Sequence, residues 1–296
     1  MGKQQLTLPG ELVKKSNAIA RARWQPESVW EPRIVALVAS KVRSGDKDFQ
    51  TYRIPIAELT GVSDEKLSGS QYQEIRKSIL HLAKATILIS GKKNPRNFIA
   101  YPIFSACGYE DGFLIARFDP DLKPHFLNLS EQFTEYSLIQ YLKLPSNYSQ
   151  RIFEFLKSWS GQTKIIFPVE ELHELLSTPQ SFKTDFKAFR TRVLEKAHKD
   201  ITAHTSLRYE WEPIKSGRSV KSIRFIFSSR RQEIAISEQQ KAKEEKQRRL
   251  QTQRMLRALE CAKAKSGECS TKDNRPIICK VCQQMGICED VRRLKN

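Results

Sequence analysis

Four cysteines close to the C-terminal end of the sequence are spaced so that they could bind a metal ion. They are Cys269, Cys279, Cys282 and Cys288, and Cys261 lies a little earlier as a substitute ligand. A Cys-x2-Cys pair lets two thiolates occupy adjacent positions of a tetrahedral site. The spacing predicts one zinc ion per chain; an iron–sulfur cluster or a set of unligated thiols would use the same residues.

The sequence has no pattern typical of a catalytic centre. An enzyme that nicks DNA needs a His-x-His metal pair and a nucleophilic tyrosine. The five histidines are scattered along the chain: His81, His125, His173, His198 and His204. The sequence ELHELL around His173 lacks the second histidine of a zinc protease, so we expect this side chain on a helix surface. The sequence therefore predicts a protein that is not an enzyme.

A basic amphipathic stretch, FKTDFKAFRTRVLEKAHKDI, occupies residues 182 to 201 and contains six lysines and arginines. Apolar residues recur in it at intervals of three and four, which predicts one helix with a buried stripe. The stripe consists of Phe182, Phe186, Phe189, Val193, Ala197 and Ile201.

The opposite face of this predicted helix carries short polar side chains bordered by cations. Its candidate DNA contacts are Lys183, Thr184, Lys187, Arg190, Thr191 and Arg192. A helix that reads base edges needs hydrogen-bonding side chains at its centre and Lys or Arg where the phosphates run. For one isolated helix, a solvated basic face would be the simpler interpretation.

Composition favours an acidic partner. The 296 residues include 51 Lys and Arg against 33 Asp and Glu, a formal net charge of +18, which suits nucleic acid. The longest apolar run, IVALVA, is too short to span a bilayer, and the first ten residues, MGKQQLTLPG, have no apolar signal core. We expect a cytoplasmic protein with no membrane partner and with reduced cysteines.

The same order of elements occurs twice between residues 28 and 229. Each half is predicted to contain a helix-turn-helix followed by a β-hairpin, or wing. In the first half the second helix of the pair is predicted to bury Ile75 and Ile79 and to present Gln73, Arg76 and Lys77, and EDG at residues 110–112 is predicted as a hairpin turn. In the second half the segment SNYSQRIFEFLKSWS is predicted as a one-sided amphipathic helix, and the wing carries Lys215, Arg218, Lys221 and Arg224. Two basic helices of this design favour DNA binding over a solvated face.

We therefore predict an α+β fold with two tandem winged-helix domains, a charged helical linker and a small cysteine-rich tail. The predicted boundaries are residues 1–27 for an N-terminal segment, 28–130 and 131–229 for the two domains, 230–266 for the linker and 267–296 for the tail.

The second half resembles a known family. The segments YLKLPSNYSQRIFEFLKSW, KIIFPVEELHELL and FKTDFKAFRTRVLEKAHKDI, in that order and spacing, resemble the iteron-binding plasmid replication initiators of the RepE and pi type. The resemblance extends over roughly residues 28 to 228, and no counterpart is recognised after residue 229.

The resemblance implies that monomers bind direct repeats (iterons) at an origin and that dimers bind an inverted repeat to repress their own gene. It also implies origin opening together with the host replication initiator and helicase. Carried over by position, Lys187, Arg190, Thr191 and Arg192 are the expected base contacts, and the first domain provides dimerisation and further DNA contact. The alternatives are a transcriptional repressor without initiator activity and, disfavoured by the missing His-x-His pair, a nicking enzyme.

Overall fold

The structure is a computed structural model that describes residues 11–43, 45–60, 67–91, 97–127, 129–130 and 132–228. The predicted charged linker, the cysteine-rich tail and all five candidate metal ligands lie outside these residues. The described residues, from 11 to 228, belong to one compact unit. The two predicted winged-helix domains lie within this unit.

The first half of the chain has mixed helix and strand content. Its elements are β1 Leu12–Ser16, α1 Asn17–Ala20, α2 Trp30–Ser40, β2 Tyr52–Pro55, a 3-10 helix Ile56–Thr60, α3 Gly69–Leu82, β3 Thr86–Ser90, β4 Phe98–Pro102, β5 Phe104–Glu110, β6 Phe113–Phe118, a 3-10 turn Pro120–Leu122 and α4 Lys123–Phe126.

The second half repeats the order of helix, strand, helix pair and hairpin. Its elements are β7 Phe133–Ser137, α5 Leu138–Leu142, α6 Asn147–Lys157, β8 Lys164–Pro168, α7 Val169–Leu175, α8 Gln180–Thr184, α9 Phe186–Phe189, a π-helical segment Arg190–Glu195, α10 Lys196–His204, β9 Tyr209–Ser216 and β10 Ser219–Phe227. This order confirms the α+β class and the two tandem winged-helix domains expected from the sequence.

Each half has a small antiparallel sheet that ends in a hairpin. In the first half the strand order is β2-β6-β5, and in the second it is β8-β10-β9. The turn between β5 and β6 is the predicted hairpin turn. Asp111 (φ 46°) and Gly112 (φ 85°) both adopt the left-handed backbone conformation that such a tight turn requires.

Residues 12–27 of the predicted N-terminal segment are packed into the fold. Strand β1 pairs along its whole length with β7, so that Leu12 lies opposite Ser137 and Ser16 opposite Phe133. Val13 is fully buried, and backbone hydrogen bonds join Arg23 to Leu88 of β3 in both directions. Residues 12–27 therefore connect the two halves of the chain.

Helix α6 is buried on every side, which corrects the one-sided amphipathic helix predicted from the sequence. All side chains from Ser149 to Leu156 are buried, including four polar ones. Apolar periodicity could not show this because each of the four polar side chains has a hydrogen-bond partner outside the helix. Ser149, for example, donates to the carboxylate of Asp200 in α10 at 2.6 Å.

A group of buried charges surrounds Glu154 of α6. Its carboxylate forms a salt bridge with Lys15 of β1, lies 3.1 Å from Nη1 of Arg151 and accepts a hydrogen bond of 2.5 Å from the hydroxyl of Tyr136 in β7. Arg151 also donates to the carbonyl oxygen of Ala22. The side chains of Lys15, Arg151 and Glu154 are at most 3% exposed.

The cations and hydrogen-bond donors around Glu154 together have a larger effect on its pKa than burial does. Burial acts to raise this pKa, but the Lys15 and Arg151 cations, with hydrogen bonds from Lys15 and Tyr136, lower it below the ordinary value of 4.5. The carboxylate is therefore the group that compensates two buried cations and ties β1, β7 and α6 together.

Replacing Glu154 with Gln should strongly destabilise the fold. The substitution leaves two buried cations without a counter-charge, and we expect the free energy of unfolding to fall by about 3–5 kcal/mol. Urea denaturation followed by tryptophan fluorescence measures this. A matched control is Glu110→Gln, which breaks an exposed pair with Arg53 at 3.8 Å and should cost less than about 1 kcal/mol. Equal stability of the two variants would contradict this role of Glu154.

The same carboxylate should make stability depend on acid. Because its pKa is lowered in the folded state, its contribution is complete above the ordinary value of 4.5 and is lost as the pH falls through the folded-state pKa. In the same urea experiments below about pH 5, the Glu154→Gln protein should therefore lose stability less steeply than the unsubstituted protein.

Candidate nucleic-acid interface

The basic stretch forms two helices rather than the single helix predicted over residues 182 to 201. Asp185 adopts an extended conformation (φ −123°, ψ 93°), so α8 ends at Thr184 and a new helix begins at Phe186. The Asp185 carboxylate accepts hydrogen bonds from the backbone N–H groups of Lys187 at 2.9 Å and Ala188 at 3.1 Å. An aspartate in this role stabilises a helix N-terminus, which explains the break.

The second helix runs without interruption from Phe186 to His204 through α9, the π-helical segment and α10. We call it the recognition helix. Its buried residues include Phe189, Val193, Ala197 and Ile201, as the sequence predicts, together with Leu194. Phe182, assigned to the same stripe, lies instead on α8, with its ring 6.3 Å from that of Tyr148.

The π-helical segment accounts for the four-residue spacing of the buried side chains. In an α-helix each step of four residues turns about 40° beyond a full revolution, so three steps would rotate Ile201 about 120° away from Phe189. The wider turn of a π-helix, with hydrogen bonds from i to i+5, compensates for this drift. The segment Arg190–Glu195 thus keeps one face of the recognition helix buried over its whole length.

Four of the six candidate DNA-contact residues lie together on the recognition helix. Lys187, Arg190, Thr191 and Arg192 are all exposed. Nε of Arg190 donates to Oε1 of Glu195 at 2.8 Å, a pairing that was not predicted from the sequence. Its only sequence signal is an acidic residue within an otherwise basic face.

The other two predicted residues, Lys183 and Thr184, lie on α8. Both are exposed, but the break at Asp185 removes them from the recognition helix, which corrects their assignment to its face. The Thr184 hydroxyl donates to backbone carbonyls of its own helix at 3.3 Å. Lys183 lines a polar groove of about 950 Å³ between the two halves, together with Arg23, Glu27, Lys84 and Glu174.

The wing of the second half presents three exposed cations. Lys215 and Lys221 flank the β9–β10 turn, and Arg218 lies within it beside Gly217, whose φ of 62° requires a residue tolerant of the left-handed conformation. The pairing of β10 with β9 shifts between Val220 and Ser222, so Lys221 is the bulged residue. Arg224 is ion-paired with Glu212 on the neighbouring strand.

Helix α3 in the first half presents the predicted polar face. A capping box between Ser68 and Gln71 starts it, and Gln73, Arg76 and Lys77 are exposed while Ile75 and Ile79 are buried. The Arg76 guanidinium lies 5.1 Å from the ring centre of Tyr109 on β5. The structure therefore brings the three predicted residues together.

His173 is buried, so the expectation of a helix surface residue is wrong. Its ring lies 4.3 Å from that of Phe189 beneath the recognition helix, and Nδ1 lies 2.6 Å from the hydroxyl of Thr178. Burial, with the nearby Lys183 cation, lowers the pKa of His173 below its ordinary value of 6.5. The side chain supports the position of the recognition helix.

His81 is the only histidine in the described ranges that belongs to a cluster with metal-ligand composition. Its Nε2 lies 3.3 Å from Glu27 and its Nδ1 lies 3.1 Å from Glu31. The two carboxylates face opposite nitrogens of the imidazole ring, so a single ring nitrogen does not lie next to both of them.

In the described part of the chain, none of the helices is both long and apolar enough to cross a bilayer.

Comparison with known protein families matches both halves of the chain. Residues 12–157 match the family described as initiator replication protein, WH1, and residues 168–227 match initiator Rep protein, WH2. The first matched region includes residues 12–27 and continues to the end of α6. Both matches agree with the observed repetition of the winged-helix elements.

Two solved structures match this chain, and the first of them shares its fold. The Pi initiator protein, solved in complex with iteron DNA, is 18% identical with a TM-score of 0.56, and the match covers 73% of this chain and 96% of that one. RctB domains 2-3 are 13% identical with a TM-score of 0.40, covering 70% of this chain and 83% of the other. The two family matches together cover residues 12–157 and 168–227, confirm the resemblance noted in the sequence and show that the chain belongs to the replication initiator protein family.

Proposed function

We propose that this replication initiator binds directly repeated sites at a plasmid origin through the recognition helix of its second domain. The observation that carries the proposal is the exposed, N-capped face on which Lys187, Arg190, Thr191 and Arg192 lie together. The Pi protein, whose fold this chain shares, was solved bound to iteron DNA. Binding to repeated origin sites by this chain is inferred from that relative and from the charge of the face.

The recognition helix fits the mode in which a helix enters the major groove with its N-terminal residues near the base edges. Lys187, Arg190 and Thr191 occupy its first two turns. A guanidinium can donate two hydrogen bonds to guanine, and a threonine hydroxyl can contact either base of a pair. These residues would supply sequence discrimination.

The wing and α3 would add contacts of different kinds. Lys215, Arg218 and Lys221 extend from the β9–β10 hairpin, where cations beside a recognition helix contact phosphates. Gln73, Arg76 and Lys77 form the smaller face of the first domain and would contact DNA beyond that reached by the recognition helix. Phosphate contacts of this kind raise affinity for all sequences and make binding sensitive to salt.

The monomer and the dimer would bind different arrangements of DNA sites. We propose that monomers bind the repeats and open the origin with the host replication initiator and helicase in the cytoplasm. A dimer would bind an inverted repeat and repress the protein's own gene. The proposed role is binding without enzymatic activity, in keeping with the scattered histidines of the sequence.

The DNA flanking its own gene provides the direct test of function. Footprinting should protect a series of direct repeats, and gel shifts should show a ladder of complexes, while supercoiled DNA incubated with Mg²⁺ should remain unnicked. Protection of a single operator without repeats would favour a plain repressor, and metal-dependent nicking would favour an enzyme.

Lys187→Ala and Arg190→Ala should each weaken binding to a protected repeat. The loss should be about 1–3 kcal/mol if the side chain contacts a base bidentately, and smaller if it contacts only phosphate. Titrations at several salt concentrations separate the cases, because only a lost phosphate contact flattens the salt dependence. Lys143→Ala, at an exposed lysine after α5, is the control. Unchanged affinity and salt dependence in both variants would place the reading face elsewhere.

Strand β4 is the surface that we propose for dimerisation. Phe98 and Ile99 are 55% and 60% exposed, and β4 pairs only with β3 within the described ranges. An open strand edge with exposed apolar side chains is suited to pairing with the same strand of a second copy. Ile99→Lys should weaken dimerisation at least about tenfold because a charged residue on an edge strand opposes pairing.

Sedimentation velocity over a range of concentrations measures this dimerisation. Ile226→Lys, which places the same charge at a 41% exposed isoleucine of the second domain, is the matched control and should dimerise normally. If both variants dimerise as the unsubstituted protein does, β4 is not the interface.

We also propose that Cys269, Cys279, Cys282 and Cys288 bind one zinc, with Cys261 as a substitute. So short a segment contains too few apolar residues to fold around a core alone, so a metal would provide its structure. Elemental analysis of protein purified anaerobically without chelator should find about one zinc per chain. Cys282→Ser should remove it, whereas Cys107→Ser should not. Visible absorbance with bound iron would instead indicate an iron–sulfur cluster, and absence of both metals would indicate free thiols.

A further inference from the structure

Arg190 and Glu195 form a contact that depends on the local helix geometry. Nε of Arg190 donates to Oε1 of Glu195 at 2.8 Å, and the two side chains are 56% and 42% exposed. Residues five apart do not face each other on an α-helix, where neighbours are three or four apart. They approach here because both lie in the π-helical segment, whose wider turn brings i and i+5 together.

The contact fixes the part of Arg190 that remains available to DNA. With Nε bonded to Glu195, the two Nη groups have no hydrogen-bond partner in the described part of the chain. These groups form the end-on pair of donors that can bind guanine O6 and N7 together. An exposed ion pair contributes little to folding stability. The contact is therefore better explained by the orientation that it gives to the Arg190 guanidinium than by stabilisation of the helix.

We propose that Glu195 is a positioning residue that sets the sequence specificity of the recognition helix. It orients the Arg190 guanidinium before DNA arrives, so that less side-chain freedom is lost when a guanine is bound. Its negative charge also offsets the cation, which reduces attraction to phosphates of any sequence. Glu195 thus raises specific binding and lowers non-specific binding. The inference rests on the proposed reading role of Arg190.

Three substitutions separate these effects. Glu195→Ala removes both the contact and the charge. Glu195→Gln removes the charge but retains an oxygen that can accept from Nε of Arg190. Glu135→Ala removes an exposed carboxylate from β7 and serves as the control. Each full-length protein is titrated with a duplex containing one footprinted repeat and with a random duplex of equal length, at several salt concentrations.

For Glu195→Ala we expect the ratio of specific to non-specific affinity to fall about three- to tenfold. Non-specific affinity itself should rise, because a negative charge near the phosphates is lost. Glu195→Gln should show the same rise but retain more of the specific affinity. Glu135→Ala should leave the ratio unchanged.

The Arg190→Ala background distinguishes positioning from a structural effect. If Glu195 acts through Arg190, adding Glu195→Ala to Arg190→Ala should not lower the specific affinity further. An equal loss in both backgrounds, or an unchanged ratio for Glu195→Ala alone, would overturn the proposal. If Arg190→Ala itself does not weaken binding to the repeat, the proposed reading role of Arg190 fails instead.

Discussion

The buried carboxylate of Glu154 is the interaction on which the arrangement of the compact unit depends. It lies on α6, which is enclosed by both halves of the chain, and it compensates Lys15 from β1 and Arg151 from its own helix. Burying three ionised groups is costly unless they satisfy each other. Because Lys15 lies 139 positions from Glu154 in sequence and Tyr136 of β7 donates to the same carboxylate, these contacts fix how β1, β7 and α6 meet.

The recognition helix depends on a second set of constraints beside this core. Its beginning is set by the Asp185 cap, and its register by Phe189, which packs against the buried ring of His173. The π-helical segment then reconciles a four-residue apolar repeat with a single buried face. The same geometry that satisfies the core places Arg190 beside Glu195. Packing beneath the helix and the arrangement of donors above it are therefore coupled.

Local patterns predicted much of this fold. The apolar positions Ile75 and Ile79 of α3, the hairpin turn at Asp111 and Gly112, and the buried residues from Phe189 to Ile201 all follow from periodicity and turn chemistry. These features depend on residues close in sequence, so a single sequence contains them.

Other features depended on distant contacts or on weaker signals. The pairing of Lys15 with Glu154 joins residues 139 positions apart, and nothing in either segment identifies the other. The burial of His173 likewise depends on where the recognition helix packs. The break at Asp185 and the π-helical segment did have local signals: an aspartate suited to capping and a strict four-residue spacing. The continuous basic amphipathic pattern nevertheless favours a single helix over residues 182 to 201.

Guanine methylation interference, compared between the unsubstituted protein and Arg190→Ala, most directly tests whether the recognition helix reads DNA through Arg190. Methylation of guanine N7 blocks the acceptor that an arginine would use. Methylation of one guanine in each bound repeat should interfere with binding of the unsubstituted protein. The same methylation should not interfere with binding of the Arg190→Ala protein, whereas the other interfering positions should be retained. An identical interference pattern for the two proteins would contradict this role of Arg190.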